Sequence, residues 1–444
     1  MDQTWTLHVE NFARIKKADI EISPLMCFIG DNNSGKSYIM SLLWGILVFD
    51  NNVLQHMNLD GTNKLCEEFL KKKAGKKFIL DDAAQQMYVD WFNEFLSLNK
   101  EQLVLSVFNK NLDIGLIEIK NFKRTKDLTI TLEKVSELGA DFYINIENCI
   151  DKPHKFKSTE LDWWYANFLV AWSLIIGKIS TTSSNDGYDN TKIYLPASRT
   201  GLLLVHRLIA NKSIQRTFSW SKNDYIPEPL TAPYLQFLQF LNDLQNTKDN
   251  HESKIASLVN FLNEEIAKGT VISKEDGKII RYLPNDMSAE LPMSITSSVV
   301  TEIAPLLLLL KNQLPIKLLI IEEPEAHLHP ALQKRMAQLL IRFVNKGIII
   351  WITTHSDTIL QHFNNMIKLN NRLDNEREEL LDEFRYTKED LLDSDKMKVY
   401  QFNRNESETE ITSADLNKYG FIADSFNRAI DELFKEILAF QEDN

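Results

Sequence analysis

The chain has 444 residues, 44% of them apolar and 25% charged, which suits a soluble globule of one large domain or two to three ordinary ones. Its formal net charge of −12 argues against a protein that coats nucleic acid, although a local basic groove needs only a patch. Three cysteines, Cys27, Cys66 and Cys149, stand far apart with no C-x-x-C pair, which fits a reducing cytoplasm and offers no metal site. The opening Met1-Asp2-Gln3-Thr4 carries neither a basic nor an apolar leader, so no signal peptide is expected. The longest apolar stretch, residues 163–176, is interrupted by Asn167 and is too short to span a bilayer, so no membrane partner is expected.

In chain order, residues 5–9 and 18–22 alternate apolar and polar side chains and predict two strands around the charged turn at 14–17. Residues 25–29 form a short apolar run that predicts a buried strand. The next stretch, Gly30-Asp31-Asn32-Asn33-Ser34-Gly35-Lys36-Ser37, fits the phosphate-loop pattern G-x-x-x-x-G-K-[ST] at every fixed position. Residues 38–49, from Tyr38, predict the helix that must follow. Strand, loop and helix together give a cradle of backbone N–H groups at a helix N-terminus, which favours the anionic phosphates of a nucleotide. Lys36 would reach the β- and γ-phosphates of ATP, and the Ser37 hydroxyl would ligate Mg²⁺.

Residues 50–100 read as mostly helical. The basic cluster Lys71, Lys72, Lys73, Lys76 and Lys77 within them reads as a solvated surface, with a nucleic-acid contact as the minority reading. Short alternating runs across 103–149, such as 128–132 and 142–146, predict an antiparallel sheet. Residues 158–179 predict a helix bearing Trp163, Trp164 and Trp172, and the polar stretch 180–190 predicts an exposed loop. Residues 193–199 predict a strand ending in a turn at Arg199. Two amphipathic helices are expected across 233–266, with Ile255, Leu258, Val259, Leu262 and Ile266 on one face. Asp276-Gly277 marks a hairpin within 271–282.

Residues 316–321 are apolar apart from Lys317, as a central parallel strand should be, and they end in Glu322-Glu323-Pro324-Glu325. Two acids at the end of such a strand suit metal and water chemistry. Glu322 is assigned to hold Mg²⁺, directly or through water, and Glu323 to act as general base on the attacking water. The bland alternative is a strand end capped by solvated acids; the phosphate loop weighs against it. A second buried strand, 347–353, ends in Thr353-Thr354-His355-Ser356. His355 could hydrogen-bond a γ-phosphate oxygen and sense it, or be a satisfied core histidine; its placement after a parallel strand favours the first.

These motifs resemble a family. The phosphate loop near the N-terminus, the run 318–330 (LLIIEEPEAHLHP) and the later Thr-Thr-His-Ser look like the ABC-type ATPase heads of the SMC-like group. More narrowly, they resemble prokaryotic AAA-family ATPases akin to the ATPase half of OLD (overcoming-lysogenisation-defect) proteins. Relatives of that kind serve in anti-phage systems such as Septu, Gabija and PARIS. Val9-Glu10-Asn11-Phe12 and Tyr194-Leu195-Pro196-Ala197-Ser198-Arg199 are also similar to that group.

The resemblance implies an α/β fold: an ABC-type head with a mixed and parallel core sheet, an N-terminal antiparallel sheet and a helical insertion. Residues 1–50 would carry the phosphate loop, 51–190 an antiparallel sheet and helical insertion, 191–285 a helical and hairpin region, and 286–444 the signature-like, Walker B and switch-histidine motifs. It further implies ATP hydrolysis in a head-to-tail homodimer or higher oligomer. ATP would lie between one subunit's phosphate loop and the other's signature helix. The best match for the signature is residues 294–300, which include Ser297 and Ser298, have Val299 where the motif usually has glycine, and lead into a helix over 301–311. His327 and His329, two residues apart at a helix entry, read as interface or packing residues. Only residues 356–444 follow the switch histidine, so an ATPase part without its own nuclease is expected, acting on a separate effector nuclease or toxin. The alternative is a clamp that closes on DNA in repair or chromosome handling.

Overall fold

Two apolar faces of one sheet organise the molecule, and the alternation of side chains along three short strands feeds both. The computed structural model describes residues 2–48, 57, 64–134, 141–147, 149, 153–157, 159–177, 191–206, 230–245, 255–275, 277, 279–312, 314–421, 434–438 and 440. The first half contains β1 (Gln3–Phe12), β2 (Ile15–Glu21), β3 (Leu25–Gly30), α1 (Lys36–Leu47), α2 (Lys64–Lys72), β4 (Lys76–Ile79), α3 (Asp82–Phe108) and β5 (Leu116–Arg124). Then come β6 (Thr129–Lys134), β7 (Asp141–Ile146), β8 (His154–Lys157), α4 (Glu160–Ile176) and β9 (Lys192–Leu195). The rest contains α5 (Ala232–Asn242), α6 (Ala256–Phe261), β10 (Gly269–Lys274), β11 (Ile279–Pro284), β12 (Leu291–Pro292), α7 (Ser298–Lys311) and β13 (Leu318–Glu322). It closes with α8 (Pro330–Asn345), β14 (Ile349–Thr353), α9 (Asp357–Asn370), α10 (Asp374–Phe384), β15 (Met397–Arg404) and β16 (Thr409–Ser413).

Among the described residues the central sheet has nine strands in the order β5-β1-β2-β16-β15-β3-β14-β13-β9. From β15 to β9 every pairing is parallel. These strands are buried on both faces, which is why β13 and β14 read as unbroken apolar runs. Met26, Phe28, Leu318, Ile320 and Trp351 point into one core, shared with residues of α1, α3 and α4. Leu25, Cys27, Ile29, Leu319, Ile321, Ile350 and Ile352 point into the other, shared with α5, α7, α8 and α9. The expected mixed α/β class is therefore what folds. The N-terminal antiparallel strands are not a separate layer: β2 pairs with β16 in parallel and so joins the same sheet.

The expected antiparallel sheet of 103–149 divides. Residues 103–108 finish the long helix α3, because Leu103, Val104 and Val107 recur at helical spacing and are buried. Val107 lies so close to α1 that a Cβ on Gly45 would meet its Cγ2 at 2.3 Å. Strand β5 leaves the insertion and pairs with β1 at the edge of the central sheet. A second sheet, β4-β6-β7-β8, takes the remaining strands. The expected hairpin forms as β10 and β11, whereas the 180–190 loop and most of the expected C-terminal helical stretch lie outside the described residues.

Asn167, which interrupts the apolar run of α4, is buried but satisfied: its Oδ1 accepts from the Tyr88 hydroxyl at 2.9 Å and its Nδ2 donates to Trp163 O at 2.8 Å. Three of the five clustered lysines are drawn into local contacts. Lys71 pairs with Glu67, Lys77 pairs with Glu147 at 2.6 Å, and Lys73 lies over the Phe69 and Phe78 rings. No helix among the described residues is long and apolar enough to cross a membrane.

His362 on α9 is 3% exposed, and its Nε2 has no hydrogen-bond partner among the described residues. Burial pushes its pKa down to about 4; the Lys334 and Arg335 charges add to this and Asp390 opposes it. A folded-state pKa below the unfolded value means that this contribution is full above about pH 6.5 and is lost as pH falls towards 4. Between those limits the parent chain should lose on the order of 3 kcal/mol more unfolding free energy than His362→Phe, measured by urea unfolding at each pH.

Candidate functional site: a phosphate loop at the strand ends

The site is built where β3, β14 and β13 end side by side. The parallel register pairs Glu322 with Thr353 and Thr353 with Phe28, so the loops after all three strands leave from one edge. Gly30 closes β3 with φ of 127°, and a Cβ there would sit 2.2 Å from the Phe402 carbonyl oxygen on β15. Only glycine fits that approach. Asn33 takes a left-handed backbone at φ 57°, and Gly35, at φ 98°, caps α1. Asp31, Asn32 and Asn33 are exposed, Ser34 is fully buried, and Ser37 and Tyr38 face outward at the helix start. The Tyr38 ring stacks on Phe108 with centroids 5.5 Å apart.

Lys36 folds back into its own loop. Its Nζ donates to the carbonyl oxygens of Gly30 (2.9 Å) and Asp31 (2.7 Å) and to Ser34 Oγ (3.4 Å). Burial lowers its pKa to about 8, against the opposing charges of Glu323, Asp31, Glu325 and Glu322. The same field reaches His355. Burial lowers its pKa, the nearby Lys36 ammonium lowers it further, and Glu323 and Asp31 act the other way. The structure thus brings Lys36, Asp31, Glu322, Glu323 and His355 into one electrostatic neighbourhood.

Each acid is held differently. Glu322 is 4% exposed; its Oε1 accepts from the Tyr194 hydroxyl at 2.8 Å and its Oε2 from the Ala197 amide at 3.0 Å. Each oxygen keeps a further lone pair. Glu323 adopts φ of 46°, and its amide donates to the Thr353 carbonyl at 2.9 Å. A left-handed glutamate costs about 1 kcal/mol or more, and such residues concentrate at functional sites. Glu325, to which sequence reasoning gave no role, accepts from the His355 amide at 2.6 Å. Burial raises its pKa despite that bond. It therefore braces the turn that presents His355.

Ser297 and Ser298 stand elsewhere. They are exposed at the start of α7, where Ser297 Oγ accepts from the Val300 amide at 3.4 Å. Among the described residues no hydrogen bond joins them to the phosphate loop. His327 is exposed, with φ of 58°. His329 caps α8 through Nδ1, which accepts from the Ala331 amide at 3.4 Å.

Sequence reasoning also gave no role to Tyr194 and Arg199, although both lie in the motif at the end of β9. Arg199 is 3% exposed and donates to the carbonyls of Glu322 (2.5 Å), Glu323 (2.9 Å) and Pro196 (3.1 Å). The available signal was an arginine placed at the end of a strand beside the two glutamates.

Oxygen donors and a charge-balanced lysine loop suit a nucleotide with a hard divalent cation: phosphates would find N–H groups and an ammonium, and Mg²⁺ would find hydroxyl and carboxylate oxygens. The family profile described as AAA ATPase domain matches residues 5–360. No curated protein matches the chain significantly. Among solved structures, the SMC head domain from Thermotoga maritima is similar at 11% identity and TM-score 0.37, covering 93% of this chain and 99% of that one. An Smc head domain with an extended coiled coil, bound to the C-terminal domain of ScpA and derived from Pyrococcus furiosus, is similar at 11% identity and TM-score 0.37. That match covers 97% of this chain and 99% of that one.

Because Lys36 carries a pKa of about 8, its ammonium is present below that pH and is lost above it. Affinity for a fluorescent triphosphate analogue should therefore fall by up to about tenfold per pH unit above pH 8. Lys36→Met should bind weakly throughout and show no such slope.

Proposed function

The chain belongs to the AAA ATPase domain family and is an ATPase, and from that premise we propose that the strand-end cluster is its ATP site. The observation that carries this is the Lys36 ammonium, fixed on the carbonyls of Gly30 and Asp31 and lying in the field of Glu322, Glu323 and Glu325. The backbone from Gly30 to Tyr38 wraps the phosphates, and Lys36 turns outward from its carbonyls to the β- and γ-oxygens. Ser37 and Glu322 would hold Mg²⁺, which would supply positive charge to offset that of the phosphates. Glu323 accepts the proton of the attacking water. His355, kept neutral near pH 7 by the direction of its shift, hydrogen-bonds the γ-phosphate and reports its presence.

The exposed Ser297 and Ser298 complete the cage of a second copy, head to tail, so that ATP closes a homodimer or higher assembly. Helix α7 has 14 residues, and the positive end of its dipole, behind Ser297 and Ser298, would face the phosphates held on the other copy. In cells, this switch serves as the ATPase and sensor subunit of a prokaryotic anti-phage complex and governs a separate effector nuclease or toxin. Support for that setting is the acidic balance and the motif resemblance. The contacts of Lys71, Lys73 and Lys77 with acids and rings of their own chain weigh against the DNA-clamp alternative.

Glu323→Gln should retain nucleotide and lose turnover by about 10² or more. By light scattering its mass should double with ATP and Mg²⁺ and grow further when it is co-expressed with the product of a neighbouring gene. An unchanged mass, with DNA binding that weakens steeply with salt, would favour the clamp.

A further inference from the structure

Arg199 uses its guanidinium on four residues at once. It sits in the turn after β9, inside the protein. Nη1 donates to the carbonyls of Glu322 at 2.5 Å and Pro196 at 3.1 Å, and Nη2 donates to the carbonyl of Glu323 at 2.9 Å. Nε donates to the Glu302 carbonyl at 3.4 Å, and Nη2 also forms an ion pair with the Glu302 carboxylate. That carboxylate is 1% exposed, and its other oxygen, Oε2, accepts a hydrogen bond at 2.5 Å from the Thr200 hydroxyl. A buried ion pair of this kind contributes little net stability against an apolar replacement, but it fixes geometry.

What it fixes is the backbone of Glu323. That residue is held from both sides: its amide by the Thr353 carbonyl on β14 and its carbonyl by Arg199. The two bonds brace a non-glycine residue held at φ 46°. Glu302, the other end of the clasp, lies one turn into α7, four residues after Ser298. A movement of the start of α7 would therefore be passed to Glu302, then to Arg199, then to the peptide that carries the Glu323 carboxylate.

We propose that Arg199 and Glu302 are positioning residues that set the aim of the Glu323 carboxylate and link it to the N-terminus of α7. Engagement of Ser297 and Ser298 by a nucleotide held on another copy would then be felt at the hydrolytic centre of the same chain. This rests on Glu323 being the general base. Neither side chain has to touch ATP, so the pair acts on turnover rather than on nucleotide binding.

The test compares Glu302→Gln, Arg199→Lys, the double variant and Glu323→Gln in the full chain, reading kcat, KM for ATP, affinity for a fluorescent ATP analogue and Tm. Glu302→Gln is isosteric and keeps an acceptor; Arg199→Lys keeps the charge and loses the fork. Each single variant should lower kcat by about 10- to 100-fold while analogue affinity and KM stay within about threefold. The double variant should be no slower than the slower single, because both break one clasp. The proposal is overturned if kcat stays within about twofold of the parent, or if kcat, affinity and folded fraction fall together. If Glu323→Gln itself turns over ATP normally, it is the general-base reading that fails; if only Glu323→Gln is slow, the clasp alone is wrong.

Discussion

The register of the parallel strands is the constraint on which the site depends. Leu25 pairs with Ile350 and Leu318 with Ile349, so Gly30, Glu322 and Thr353 arrive together at one edge of the sheet. A slip of one residue would turn every side chain of a strand to the opposite face. It would place Glu322 among the apolar residues of a core and take Gly30 away from its contact with Phe402. Both cores oppose this, because each face of β3, β13 and β14 is already packed. The same burial that stabilises the fold therefore fixes the chemistry at its edge.

Charge balance is the second element. Burial costs Lys36 much of its preference for the charged form, and four carboxylates restore part of it. Behind the glutamates, Arg199 supplies a second cation, with its donors on carbonyls and on Glu302. One cation thus faces the phosphate loop and the other faces the protein. Triphosphate would replace the carbonyls as the partner of Lys36, whereas Arg199 has a complete set of partners inside the fold and stays in place.

Much of this was legible in the sequence because it is local. The phosphate loop sits between its strand and helix within a few residues, and the acids and the histidine directly follow apolar runs. The mixed α/β class followed from the same runs. Residues whose meaning depends on distant partners were less legible. Arg199 meets Glu322 across 123 positions, and Tyr194 meets it across 128, so no local pattern reveals either contact. Residues 103–108 read as strand because short apolar runs carry either period; packing of α3 on α1 decided for helix. The place of β5 in the central sheet was likewise set by its pairing with β1 and not by its own composition.

The most direct measurement of the central claim is amide hydrogen exchange of the Glu323→Gln chain, with and without a non-hydrolysable ATP analogue and Mg²⁺. The account predicts slower exchange in three separated segments together: 30–38, 322–326 and 353–356. Protection confined to other parts of the chain, such as the cavity of about 790 Å³ lined by Gln401, Asn403 and Thr412, would contradict it. Nucleotide would then bind away from the strand ends, and the cluster around Lys36 would be an ion network of the fold.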